Sequence, residues 1–124
     1  MKLLADTHIV VWWLLDSPEL PPEIKDLLDT EPQAYVSAVT PWELAVKQAL
    51  GKLDGPADLP ERARDCQLRP LPVTPQHGVG VGRLPHHHRD PFDRILVAQA
   101  QLEDLTIITR DTWIPKYDVR VLRA

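Results

Sequence analysis

Short apolar runs alternate along this chain with longer stretches whose apolar positions recur at helical spacing. The run 2–5 is apolar up to Asp6 and reads as a buried strand. Asp6-Thr7 then opens a helix to about Leu15, with either residue as cap. Pro18, Pro21 and Pro22 interrupt the chain, and Pro22 suits the first turn of a second helix over about 22–30. Residues 34–38 read as a second strand. Thr40-Pro41-Trp42-Glu43 has the form of a helix start: Thr as N-cap, Pro in the first turn, and Glu three residues on to close a capping box. That helix runs to about Leu50, where Gly51 ends it. A helix over 60–67 follows a turn-rich stretch. The run 68–73 is strand-like but holds Pro70 and Pro72, which places it at a sheet edge or makes it irregular. Residues 74–84 conflict, because Thr74-Pro75 starts a helix that Gly78, Gly80 and Gly82 weaken. Residues 85–89 form a polar loop. Asp90-Pro91-Phe92-Asp93 opens a helix over 91–103, 106–109 is a buried strand, 111–117 a loop or helical turn, and 119–122 a last strand. Strands alternating with helices in this way predict an α/β fold: a mainly parallel central sheet of about five strands flanked by helices.

The length of 124 residues suits one domain spanning 1–124, and a hydrophobic fraction of 44% is ordinary for a globular chain. A formal charge of −4 argues against a protein that coats nucleic acid, but it permits an enzyme whose acidic excess lies in its site. Cys66, the single cysteine, has no internal disulfide partner and fits a reducing compartment as a small buried or half-buried residue. The apolar run 9–15 is too short to span a bilayer, and no small-residue cleavage site follows it, so the expectation is a cytoplasmic protein without a signal peptide or membrane anchor.

Candidate chemistry lies at element ends. Asp6 closes the first strand, Glu43 sits in the first turn of the helix after the second, Asp90 and Asp93 open the helix before the fourth, and Asp111 follows that strand. Carboxyl ends of parallel strands share one edge of the sheet, so these acids can meet. Two such charges roughly 5 Å apart cost about 3 kcal/mol at an effective dielectric of about 20. A hard divalent cation such as Mg²⁺ relieves that cost and keeps positions open for water and phosphate. The pattern therefore points to a metal-dependent phosphodiesterase. Each acid also has a local explanation: Asp6 as a helix cap, Glu43 as the partner of Thr40, Asp90 and Asp93 as N-terminal helix acids, and Asp111 as a turn residue.

Thr7 and Thr109 neighbour the acids and are suited to orienting them, or to local turn hydrogen bonds. Arg89, Arg94 and Arg110 flank the acids and are candidates for holding phosphate oxygens, with an ion pair on its own helix as the rival role for Arg94. Lys47, one turn after Glu43, reads as its ion-pair partner. His86-His87-His88 reads as a solvated loop, since three consecutive histidines rarely aim at one ion and His8 and His77 have no recognised zinc spacing to them. The helix 9–15 is apolar all round, including Trp12 and Trp13, so it is either covered by its own domain or, the preferred reading in so small a domain, presents one face to a partner.

These segments resemble a PIN domain, and within that family a VapC-type toxin. The resemblance rests on Leu4-Ala5-Asp6-Thr7-His8 before an apolar Trp-bearing helix, on Trp42-Glu43-Leu44-Ala45 with Lys47 and then Gly51-Lys52-Leu53, on Asp90-Pro91-Phe92-Asp93-Arg94 leading into Val97-Ala98-Gln99-Ala100, and on Thr109-Arg110-Asp111. It covers essentially the whole chain, and its specificity comes from the combination and order. It implies an Mg²⁺- or Mn²⁺-dependent endoribonuclease, the toxin of a type II toxin–antitoxin pair, neutralised by a VapB-like antitoxin. It also implies a homodimer, or a higher assembly with the antitoxin. The family's acids fall on Asp6, Glu43, Asp93 and Asp111, with Asp90 as a further acid of the subgroup, and the family's hydroxyl residue near the last acid falls on Thr109. In a different functional class, the same scaffold serves as a non-catalytic module that grips RNA or protein without cutting.

Overall fold

A computed structural model describes residues 1–124. Strands β1 (Leu3–Ala5), β2 (Ala34–Ser37), β3 (Arg69–Leu71), β4 (Thr106–Thr109) and β5 (Val121–Arg123) form one sheet in the order β3-β2-β1-β4-β5, with every neighbouring pair parallel. Helices α1 (Thr7–Leu14), α2 (Pro22–Thr30), α3 (Val39–Ala49), α4 (Leu59–Arg64), α5 (Pro75–Gly82) and α6 (Pro91–Glu103) supply the crossovers, and a 3₁₀ turn over Ile114–Lys116 precedes β5. The expected architecture and element order hold. No helix is long and apolar enough to cross a membrane.

The period-two alternation of strand side chains divides the core in two. Leu3, Ala5, Val36 and Ile108 face a layer with Ile9, Ile24, Leu28, Leu44 and Leu59. Leu4 and Ile107 face the other layer, with Leu96, Val97, Ala100 and Ile114. Because β1 and its neighbours are covered on both sides, they read in sequence as unbroken apolar runs. The proline-bearing β3 lies at one edge, where Pro70 needs no ladder partner on its outer side.

The conflicted stretch 74–84 is helical. Thr74 accepts the His77 N–H and His77 Nδ1 accepts the Thr74 N–H, which closes a capping box that offsets the glycines. Gly80 has its own reason to be small, since a Cβ there would lie 3.3 Å from Leu102 and 3.5 Å from Ala98 where α5 crosses α6. Gly51, at φ +69°, ends α3 in the left-handed conformation. Helix α4 ends earlier than expected and β5 begins later.

From β1 the sheet grows through β2 and β3 on one side and through β4 and β5 on the other. The carboxyl ends of β1 and β4 therefore flank a topological switch point, the place where open α/β sheets bind ligands.

Candidate functional site

Asp6 is the first residue beyond β1 and caps α1, with Oδ1 accepting the Ile9 N–H at 3.0 Å. Its Oδ2 accepts the Thr109 hydroxyl from the end of β4. The same Thr109 oxygen accepts the Asp111 N–H at 3.0 Å, so one hydroxyl ties together the acids of two adjacent strands. Asp6 is thus a cap and a member of the cluster at once. Burial raises its pKa, against the pull of Thr109 and the Ile9 N–H.

Glu43 is buried, and its local explanation fails. Helix α3 begins at Val39, and Ser37 Oγ accepts the Val39 N–H at that end (3.1 Å). Thr40 lies inside the first turn, so it neither caps the helix nor shares a capping box with Glu43. Glu43 Oε1 instead accepts the Thr7 hydroxyl at 2.6 Å, and Oε2 accepts Lys47 Nζ at 2.6 Å. Since the one Thr7 proton goes to Glu43, the Thr40 hydroxyl, 3.3 Å away, donates to the Thr7 oxygen. Burial lowers the Lys47 pKa, but Glu43, helped by Asp90 and Asp93, raises it further, so the ammonium stays charged.

Asp90 is the N-cap of α6, its Oδ1 accepting the Phe92 N–H at 2.9 Å while its Oδ2 lies 4.0 Å from Lys47. With Asp90 capping, Asp93 in the same first turn is free for another role. Burial and the successive repulsion of Asp90, Glu43, Asp6 and Asp111 push its carboxyl up to about 8. Asp111 goes the other way. Burial raises it, but the Trp113 N–H (2.6 Å), His88 and the Ile114 N–H (3.0 Å) together hold it below the usual carboxylate range. Five acids from four segments thus act on one another, with Asp93 at the electrostatic centre.

The expectation of a solvated histidine triplet is corrected at His88. Its Nε2 lies 3.0 Å from Asp111 Oδ2 and 3.0 Å from Asp93 Oδ2, in the middle of the cluster. His86 and His87 remain exposed. The sequence carried one signal, the position of His88 two residues before the helix cap, but nothing that separated it from its neighbours. Asp90 N–H donates to His88 Nδ1 at 3.1 Å, so the ring proton sits on Nε2 and points at the carboxylates.

Two of the three candidate phosphate-binding arginines are committed elsewhere. Arg94 is buried and donates to the carbonyls of Pro85 (2.9 Å) and Val81 (3.0 Å) and to Tyr117 Oη (3.2 Å), fastening the 81–88 segment to α6. Arg110 donates to the Ala124 carbonyl at 3.0 Å and to Glu19 Oε2 at 2.9 Å, and its guanidinium lies 4.5 Å from the centre of the Trp12 ring. Their long side chains find partners far away in sequence, which local reading does not register. Arg89 is exposed beside Asp90.

On helix α1, Trp12, Trp13 and Leu14 are half-buried. Trp12 lies under Arg110, and Trp13 Nε1 donates to Asp29 at 2.8 Å. An exposed apolar surface lies where α3 meets the start of α6. Trp42 is 61% exposed and meets Phe92 edge-on, and both line a groove of about 580 Å³ with Val39, Val73, Val81 and Ile95.

Donor chemistry fits a hard divalent cation. His88, Asp93 and Asp111 present ligand-type atoms all within 4.8 Å of one another. With its proton on Nε2, the imidazole acts there as a hydrogen-bond donor, so the oxygens are the donor set, as Mg²⁺ and Mn²⁺ prefer. Glu43, with both oxygens engaged by Thr7 and Lys47, bears on the site through charge and through the lysine.

The PIN domain family model matches residues 3–119. No curated protein matches the chain. Among solved structures, a chain in the structure of FitAB bound to an IR36 DNA fragment is similar with TM-score 0.71 and 25% identity, covering 98% of this chain and 94% of that one. A chain of VapBC2 from Rickettsia felis, bound to a DNA fragment from its promoter, gives TM-score 0.75 at 14% identity, covering 99% and 98%. A toxin–antitoxin complex from Klebsiella pneumoniae gives TM-score 0.60 at 23% identity, covering 90% and 88%.

Proposed function

The chain belongs to the PIN domain family, and we propose that it is the toxin of a type II toxin–antitoxin pair: an Mg²⁺- or Mn²⁺-dependent endoribonuclease held in check by a VapB-like antitoxin. The observation that carries the enzymatic part is the convergence of Asp6, Glu43, Asp90, Asp93 and Asp111 at the switch point, where burial and the other four acids push the Asp93 carboxyl up to about 8. Such a group is unfavourable in its charged form and favourable as a cation ligand.

Asp93 and Asp111 are the ion's direct holders in this reading. Asp6, kept in place by the Ile9 N–H and Thr109, adds negative charge from below. Asp90 contributes from the edge of the cluster, Thr7 and Lys47 hold Glu43 in position, and Lys47 balances part of the acidic charge. A divalent ion bound there lowers the pKa of a water and neutralises charge developing on a phosphate. The exposed Arg89 is the arginine left to meet substrate phosphate oxygens.

The toxin role and the antitoxin partner draw support from the likeness to FitAB, the Rickettsia felis VapBC2 and the Klebsiella pneumoniae complex. The apolar groove around Trp42 and Phe92 suits the protein contacts of a homodimer or a toxin–antitoxin assembly. The site of action in this reading is the cytoplasm, where cellular RNA is met.

The test is cleavage of structured RNA in EDTA, Mg²⁺ and Mn²⁺ by wild type, Asp6→Asn and Asp93→Asn, with calorimetric titration of each by Mn²⁺. Wild type cuts only with the ion, and both variants lose cleavage. Variants that cut as fast as wild type refute the site. A wild type that neither binds Mn²⁺ nor cuts leaves the non-catalytic binding module as the function of this scaffold.

A further inference from the structure

Beside the carboxylates lies a second concavity, of about 450 Å³, lined by His87, His88, Arg89, Asp90 and Trp113. That volume is in the range of small-ligand sites, roughly 300–1,000 Å³. It shares His88 and Asp90 with the acidic cluster, so its occupant lies directly beside whatever the carboxylates hold.

Its aromatic wall is held by the site itself. Asp111 Oδ1 accepts the backbone N–H groups of Trp113 and Ile114, which fixes the turn that displays the indole. Ile114 is buried behind it as an anchor. The indole is 48% exposed, though a large apolar ring gains by burial. The ammonium of Lys116 lies 4.4 Å from the ring centre, a cation–π contact that keeps a positive charge next to the ring. Arg89, which also lines the pocket, adds a second exposed cation. Only one of the five lining residues is hydrophobic.

This composition separates the pocket from the groove around Trp42. That groove is almost wholly apolar and suits protein contact. An exposed indole with Arg89 and Lys116 beside it, and with Asp90 on the side of the acidic cluster, suits a planar, π-faced group whose attached anion reaches the ion held by the carboxylates, which describes a nucleotide of a single strand.

We propose that Trp113, flanked by Arg89 and Lys116, is a base-stacking subsite that holds one unpaired nucleobase of single-stranded RNA next to the phosphate presented to Asp93 and Asp111. The inference rests on the nuclease reading and adds a substrate requirement to it. The strand must have an unstacked base at one fixed position from the cut. Stacking on an indole tolerates any base, so the subsite selects for single-stranded character more than for sequence.

The experiment is binding of fluorescein-labelled single-stranded RNA to the Asp6→Asn background, read by anisotropy, with Trp113→Ala and Trp113→Phe added. A companion series of RNAs carries one abasic nucleotide at each position in turn. Trp113→Ala is expected to weaken binding roughly 5- to 100-fold, as loss of one stacked base does, with Trp113→Phe restoring most of it. On the one RNA lacking the stacked base, Trp113→Ala should then cost nothing further. If Trp113→Ala leaves affinity unchanged, or costs the same on every abasic RNA, the subsite is refuted while the nuclease reading stands. If Trp113→Ala instead changes the oligomeric state with RNA affinity intact, Trp113 is a protein contact and the inference falls. If neither the Asp6→Asn background nor wild type binds RNA in saturating Mn²⁺, the nuclease reading fails and takes the subsite with it.

Discussion

Replacing Asp93 by Asn should make the ion-free protein more stable while abolishing its activity. The Asp93 carboxyl titrates near 3.8 when free and at about 8 in the fold. The folded pKa is the higher one, so the group's contribution to stability is fully present below about pH 4 and is lost as pH rises toward about 8. At about 1.4 kcal/mol per pH unit, the interval from 3.8 to pH 7 corresponds to a loss of about 4 kcal/mol as an upper limit. Asp93 keeps some contact with solvent and faces the His88 N–H, so the measured gain in Asp93→Asn should be about 1–2 kcal/mol. For a domain of this size that is roughly 4–8 °C in melting temperature.

The assay is thermal unfolding by circular dichroism in EDTA at about pH 5, 7 and 8.5. The variant's advantage should be small at the lowest pH and grow with pH. Saturating Mn²⁺ should reverse the order, since an ion at about 100 times its dissociation constant stabilises its binder by about 2.7 kcal/mol and the variant has lost a ligand. A variant that melts below wild type at every pH, with a parallel slope, would show Asp93 supporting the fold, and the electrostatic case for a cation would collapse.

Thr7→Val should leave the buried Glu43 Oε1 without its donor and cost about 1–3 kcal/mol by urea unfolding, with Thr7→Ser close to wild type; equal stability of all three would refute the role given to that hydroxyl. Arg94→Lys should cost about 2 kcal/mol or more, because one ammonium cannot reach two carbonyls and Tyr117 at once, whereas Arg89→Ala should stay within about 0.5 kcal/mol of wild type and raise KM for RNA; the reverse pattern would return Arg94 to the substrate. His88→Ala should bind Mn²⁺ at least as tightly as wild type by calorimetry, since the ring presents a proton to the carboxylates, and tenfold weaker binding would mean the ring is itself a ligand.

What sequence shows depends on the distance over which each feature is decided. Helix α6 and its cap Asp90, helix α2 after Pro22 and strand β4 were legible because periodicity, capping and proline act within a few residues. Thr40 fits the capping-box pattern for a local reason too, but only Ala38 separates β2 from α3, the helix begins at Val39 with its N–H donated to Ser37 Oγ, and Thr40 falls inside the first turn, where it meets Thr7. His88 differs from His86 and His87 only in where the loop points it.

By itself the sequence determined the alternation of strands and helices, the two-sided burial of the central strands, and the acids at element ends, because short-range periodicity and the geometry of caps leave few alternatives. Tertiary structure alone decided that these acids converge at the β1–β4 switch point, that Glu43 answers to Thr7 and Lys47, that Arg94 and Arg110 brace the fold, and that Trp113 borders the carboxylates. Those outcomes join residues dozens of positions apart, and the path of the chain, not the identity of any residue, determines which of them meet.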